Sequence, residues 1–112
     1  MKVYGIKSCD TCRKARRWLD EQGREYQWHD LREDGLDQVT VKRWLAAVGA
    51  ETLVNRRSTT WRGLSEDERR QAMDPALASA LLLEAPTLIK RPVFETEAGV
   101  SVGFNAAVRD SL

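Results

Sequence analysis

An α/β fold built on a mixed sheet is predicted by three observations. A strand, a helix and a second strand fit into the opening of the chain. Helical patterns then fill the middle. A hairpin signal and a short helix close the 112 residues. A strand–helix–strand run of about 30 residues is a βαβ unit, whose two strands lie parallel. A hairpin added to it makes the sheet mixed.

The elements follow in order. Lys2 to Ile6 reads as the first strand, with Val3, Tyr4 and Ile6 supplying β-propensity. Asp10 to Gln22 reads as a helix whose inner face carries Ala15, Trp18, Leu19 and Gln22, stopped by Gly23. Glu25 to Asp30 reads as the second strand, where Tyr26 and Trp28 alternate with polar neighbours. Leu36 to Val48 reads as a helix with Val39, Trp44, Leu45 and Val48, ended by Gly49. Asn55 to Trp61 lacks a period and reads as a loop. Ser65 and Glu68 form a capping-box pattern opening a helix to about Met73. Asp74-Pro75 has the chemistry of an N-cap followed by a first-turn proline, so a further helix is expected there, with Leu77, Leu81 and Leu82 inward. Val93 to Thr96 and Val100 to Val102 flank Ala98-Gly99 as a hairpin, and Asn105 to Leu112 closes the chain as a helix. The order βαβ, helices, ββα is that of a thioredoxin-like fold. One domain over 1–112 is expected, with a helical insertion at about 33–86.

Bulk composition excludes several classes. Hydrophobic residues are 42% and charged residues 31%, as in a folded globule. The net charge of +1 gives no global drive toward nucleic acid or membranes. No apolar run approaches the ~18 residues needed to span a bilayer. With no signal-peptide pattern at Met1-Lys2-Val3, a cytoplasmic protein is expected. Two cysteines then argue against a disulfide framework. Cys9, Cys12 and the lone His29 fall short of the four ligands of a closed zinc site, so no metal is expected. His29 lies on a predicted strand without a second histidine and reads as structural.

The chemistry concentrates in Ser8-Cys9-Asp10-Thr11-Cys12-Arg13, between the first strand and the first helix. A thiol near a helix N-terminus faces unpaired N–H groups and the positive end of the dipole, which favour the thiolate. Cys9 is better placed than Cys12 to be exposed and deprotonated. Cys12, one turn inside, could resolve an adduct on Cys9 by forming a disulfide. Arg13 and Lys14 add positive potential, whereas Arg16 and Arg17 read as a solvated face. A phosphatase-type loop is excluded, because the positions six after each cysteine hold Ala15 and Trp18.

These residues also resemble a family. Tyr4 to Leu19 (Tyr-Gly-Ile-Lys-Ser-Cys-Asp-Thr-Cys-Arg-Lys-Ala-Arg-Arg-Trp-Leu), Leu53 to Arg62, Leu88 to Val93 and Val102 to Asn105 are similar to the glutaredoxin-linked arsenate reductase (ArsC) and Spx family. The likeness is strongest to its YffB-type, arsenate-reductase-related members. The resemblance implies that Cys9 is the nucleophile, that Pro92 is a cis proline against the cysteine loop, and that Arg91 aims charge at a bound anion or thiolate. Catalytic candidates are therefore Cys9, Cys12 and Arg91. Pro92, Arg13, Asn55 and Arg57 are substrate-contacting candidates, and Arg56 and Arg57 suit an anionic ligand such as glutathione. Two arginines that arsenate reductases carry correspond to Asn55 and Phe104 here, which implies poor arsenate binding. The resemblance thus implies a glutathione-dependent thiol oxidoreductase with no tightly bound cofactor. A C-x-x-C at this place also typifies Spx regulators, which bind RNA polymerase. A redox-switched regulator is therefore the alternative, and arsenate reduction the weaker one.

Overall fold

The computed structural model describes residues 1–112. The chain divides into two compact units. One comprises Met1–Gly35 with Arg91–Leu112, the other Leu36–Lys90.

The first unit holds a four-stranded sheet in the order β2-β1-β3-β4. Strand β1 (Lys2–Gly5) runs parallel to β2 (Gln27–Asp30), with Gly5 opposite Asp30. Strand β3 (Val93–Thr96) pairs antiparallel with β1, and β4 (Gly99–Val102) antiparallel with β3. The mixed sheet expected from the sequence is present. Helix α1 (Asp10–Glu21) is the βαβ crossover, and α7 (Ala106–Ser111) closes the chain, its first turn capped by Asn105 Oδ1 accepting from the Val108 N–H at 2.9 Å. Val3, Ala15, Leu19 and Phe94 form a fully buried core, with Trp18, Tyr26, Trp28, Phe104 and Val108 packed around it. Gln22 is exposed and caps α1 instead of joining its inner face. Cys12 takes a place on that face.

The second unit is helical: α2 (Gln38–Val48), α3 (Ala50–Leu53), α4 (Thr59–Arg62), α5 (Glu66–Met73), α6 (Ala78–Glu84) and a 3₁₀ turn at Pro86–Leu88. Helix α6 packs on α2 and α5. Trp44, Val41, Leu53, Leu82, Leu88 and Ile89 are fully buried. Each such side chain contributes about 1.5–3 kcal/mol through its removal from water. Val54 and Ile89 form an isolated antiparallel bridge.

The capping box is present, with Ser65 Oγ accepting from the Glu68 N–H and Glu68 Oε1 from the Ser65 N–H. Three local expectations change. Val39 is 72% exposed, and Val41 occupies the inward position instead. The loop at 55–61 gives way at Thr59 to α4, because Ser58 Oγ accepts from the Trp61 N–H and caps a short turn. Asp74-Pro75 does not open α6. Asp74 Oδ1 accepts from the Ala76 N–H and its carbonyl from the Leu77 and Ala78 N–H groups, so the aspartate builds a turn. The helix begins at Ala78, and Leu77 is left 50% exposed. No helix is long and apolar enough to cross a membrane.

Candidate active site around Cys9

The site grows from the end of β1. The chain turns at Ile6–Cys9, closed by the Cys9 N–H donating to the Ile6 carbonyl at 3.0 Å. Cys9 then stands at the N-cap of α1 with extended backbone angles, φ −78° and ψ 121°. Its side chain closes no capping hydrogen bond. The two thiols are free and unequal: Cys9 is half-buried and Cys12 fully buried.

Their acidities diverge for physical reasons. Burial pushes the Cys9 thiol up, but the Cys12 backbone N–H and side chain, together with the charge and hydrogen bond of Arg91, outweigh it and bring the pKa below the usual thiol value. Burial raises the Cys12 thiol to about 12, with the Cys9 charge and hydrogen bond pushing the same way. One thiol is prepared to ionise, and the other holds its proton toward it.

The sharp approach of β1 to α1 depends on Gly5. A Cβ there would meet Cys12 Sγ at 2.5 Å and the Trp28 ring at 2.8 Å, so a side chain would displace the thiol. Arg91 and Pro92 are joined by a cis peptide bond, and Pro92 is buried, its carbonyl accepting from the Gly103 N–H at 2.8 Å. The sheet unit therefore brings together Cys9, Cys12 and Arg91.

The other candidates are placed differently. Arg13 is exposed and ion-paired to Asp10 within α1. Asn55 belongs to the helical unit and builds a turn, with Oδ1 accepting from the Arg57 N–H at 3.1 Å and its carbonyl from Ser58 Oγ at 2.8 Å. Arg57 is exposed and lines a recess of about 450 Å³ with Glu51, Thr52, Asn55, Arg56 and Lys90. His29 has a structural partner as expected, its Nε2 lying 2.6 Å from the Gly35 carbonyl and its ring against Tyr4. Phe104 packs its ring near Trp18 and Phe94, so that position is apolar.

Sequence reading missed several contributors. Arg16 is not simply solvated: its guanidinium lies 4.2 Å from the Trp28 ring centroid, and Nε donates to Tyr26 Oη at 3.3 Å. Gly5 was also missed. The only signal for Gly5 was a glycine inside a strand, which often marks close backbone approach.

The comparisons agree with this fold. The family model described as "ArsC family" matches residues 4–110. An uncharacterized protein of Haemophilus influenzae is 45% identical over 103 residues, spanning 92% of this chain and 90% of its own length. The global transcriptional regulator Spx of Enterococcus faecalis is 30% identical over 107 residues, spanning 94% of this chain and 80% of its own. The solved structure of a YffB protein superposes with a TM-score of 0.90 at 42% identity, covering 98% of this chain and 96% of the other. A mixed sheet carrying a cysteine at the start of its crossover helix, with these matches along nearly the whole length, places the chain in the ArsC family.

Proposed function

We propose that the protein is a thiol oxidoreductase that reduces glutathione mixed disulfides through Cys9. The carrying observation is the inequality of the two thiols: Cys9 is accessible with a depressed pKa, and Cys12 is buried and neutral. In the first step the Cys9 thiolate attacks the glutathione sulfur of a mixed disulfide. The old S–S bond breaks, its electron pair leaves on the substrate thiolate, and Cys9 carries glutathione. A second glutathione thiolate then attacks that sulfur, releasing oxidised glutathione and restoring the Cys9 thiolate. Cys12, with a pKa of about 12, serves as donor to the thiolate rather than as the attacking group.

Turnover of a glutathionylated peptide with excess glutathione tests this. Cys9→Ser is expected to fall to the uncatalysed rate, and Cys12→Ser to retain turnover. A native rate equal to the uncatalysed one sinks the reading.

The second reading is a redox-switched regulator that binds RNA polymerase, favoured by the 30% identity to Spx of Enterococcus faecalis and by the Cys9–Cys12 spacing. Its test is capture of polymerase by oxidised against reduced protein, with Cys12→Ser abolishing any difference. Arsenate reduction has less support, since an apolar Phe104 stands where an arginine is expected to hold the oxyanion.

A further inference from the structure

Asp30 is 2% exposed, at the C-terminal end of β2. A carboxylate that far from water must be fully hydrogen-bonded, and this one is. Its Oδ1 accepts from the Arg32 N–H at 2.8 Å and the Glu33 N–H at 3.0 Å. Its Oδ2 accepts from the Lys7 N–H at 3.0 Å. The Asp30 N–H donates to Asp34 Oδ2 at 2.9 Å, and the Leu31 N–H to the Gly5 carbonyl at 2.8 Å. The Lys7 ammonium pairs with Glu33 at 2.8 Å on the surface above.

Lys7 is the second residue of the Ile6–Cys9 turn. The turn's internal bond runs from the Cys9 N–H to the Ile6 carbonyl and leaves the Lys7 N–H to seek a partner outside. One internal hydrogen bond leaves the turn a single point of attachment, whereas a preorganised site needs its reactive group held by further bonds. Asp30 supplies the second point of attachment, two residues before Cys9.

We propose that Asp30 is a positioning residue for Cys9: by binding the Lys7 N–H it fixes the turn that holds the thiol at the start of α1 and within reach of Arg91. The inference rests on Cys9 being the reactive thiol, as in the proposed function, but on no particular substrate.

The test is the pH profile of Cys9 alkylation by iodoacetamide, located by mass spectrometry, alongside thermal unfolding. Asp30→Asn keeps Oδ1 for Arg32 and Glu33, but its amide cannot accept from Lys7. The midpoint is expected to rise, with alkylation at pH 7 slowed about threefold or more. Lys7→Pro removes the donor and keeps the carboxylate, so the same rise is expected, and the double variant should add nothing further. Glu33→Gln breaks only the surface ion pair and should leave the midpoint in place. Removing a nearby negative charge without moving the thiol would lower the midpoint, so a fall overturns the proposal. A folded Asp30→Asn with an unchanged profile overturns it too, as does failure of both single variants to fold, because Asp30 then holds the fold rather than the thiol. A native midpoint at or above the ordinary thiol value of about 8.5 is a different result: it removes the proposed function itself.

Discussion

The cysteine segment of the sheet unit and the recess of the helical unit differ in what they do with positive charge. In the sheet unit four cations around the cysteine segment are engaged, while Lys14 is exposed. Arg13 pairs with Asp10, Lys7 with Glu33, Arg16 lies on Trp28, and Arg91 bonds Cys9. In the helical unit the recess residues Arg56, Arg57 and Lys90 are exposed and make no ion pair, although Glu51 lines the same recess. A thiolate is one small charge, and it is stabilised by donors fixed in advance. Cations without protein partners contribute little to the fold and remain open to solvent or ligand. The difference separates a thiol surrounded by donors fixed in advance from a surface with no such order.

The largest expected effect lies in the helical unit and leaves chemistry aside. Trp44 is fully buried there, so Trp44→Ala removes its transfer free energy and opens a cavity, costing about 3–5 kcal/mol. Urea unfolding would read this as a lower midpoint. A loss under about 1 kcal/mol would show that the core of that unit refills around the gap. Next comes Arg91→Met, which takes both a charge and a hydrogen bond from the Cys9 thiolate. The alkylation midpoint of Cys9 should rise, and a rise of one unit slows the reaction at pH 7 by about tenfold. An unmoved midpoint would mean that the α1 terminus and Cys12 suffice without the guanidinium.

The paired thiols sharpen the contrast through pH. Cys12 is an acid whose pKa is raised to about 12 on folding, so the folded chain keeps a proton that the unfolded chain releases near the ordinary thiol value. Stability from this group is complete below the unfolded pKa and declines as pH rises toward about 12. Cys9 has the opposite sign: its depressed pKa stabilises the fold at alkaline pH, and that contribution is lost as pH falls through the folded value. Cys12→Ala should therefore lose less stability than the native chain between pH 8 and 10.5, read as urea midpoints across that window. Equal slopes would place the Cys12 thiol in contact with water.

What could be read from the sequence follows the same division. The sheet unit was legible because strand alternation, a glycine-stopped helix and a hairpin are local signals, and the C-x-x-C lay at a strand-to-helix junction. The helical unit was legible in its long helices and its capping box but not in its short turns. Asp74-Pro75 carries N-cap chemistry whichever element follows, and Ser58 caps a helix too short to show a period. Val39 and Val41 are equally apolar, and only packing distinguishes the exposed one from the core one. Within the site, Cys9 and Arg91 carried signals of type and context. Asp30 carried none, because an aspartate at a strand end is common and its bond to the Lys7 N–H joins residues 23 apart.

The smallest expected effect tests the other side of the comparison. Arg56→Ala and Arg57→Ala remove exposed side chains with no ion pair, so each should change unfolding free energy by no more than about 0.5 kcal/mol. The Arg57 N–H bond to Asn55 Oδ1 belongs to the backbone and survives the substitution, so the turn that carries both residues persists. If the Arg56 and Arg57 charges attract the anionic glutathione, the double variant should raise KM for glutathione while leaving kcat and the Cys9 alkylation midpoint unchanged, because binding that is equal in ground and transition states affects KM alone. Loss of the attraction should also flatten the dependence of KM on salt, since an exposed ion pair is screened over about 10 Å at 0.1 M. A native KM insensitive to salt, together with an unchanged KM in the double variant, would make these cations a solvated surface with no part in holding glutathione.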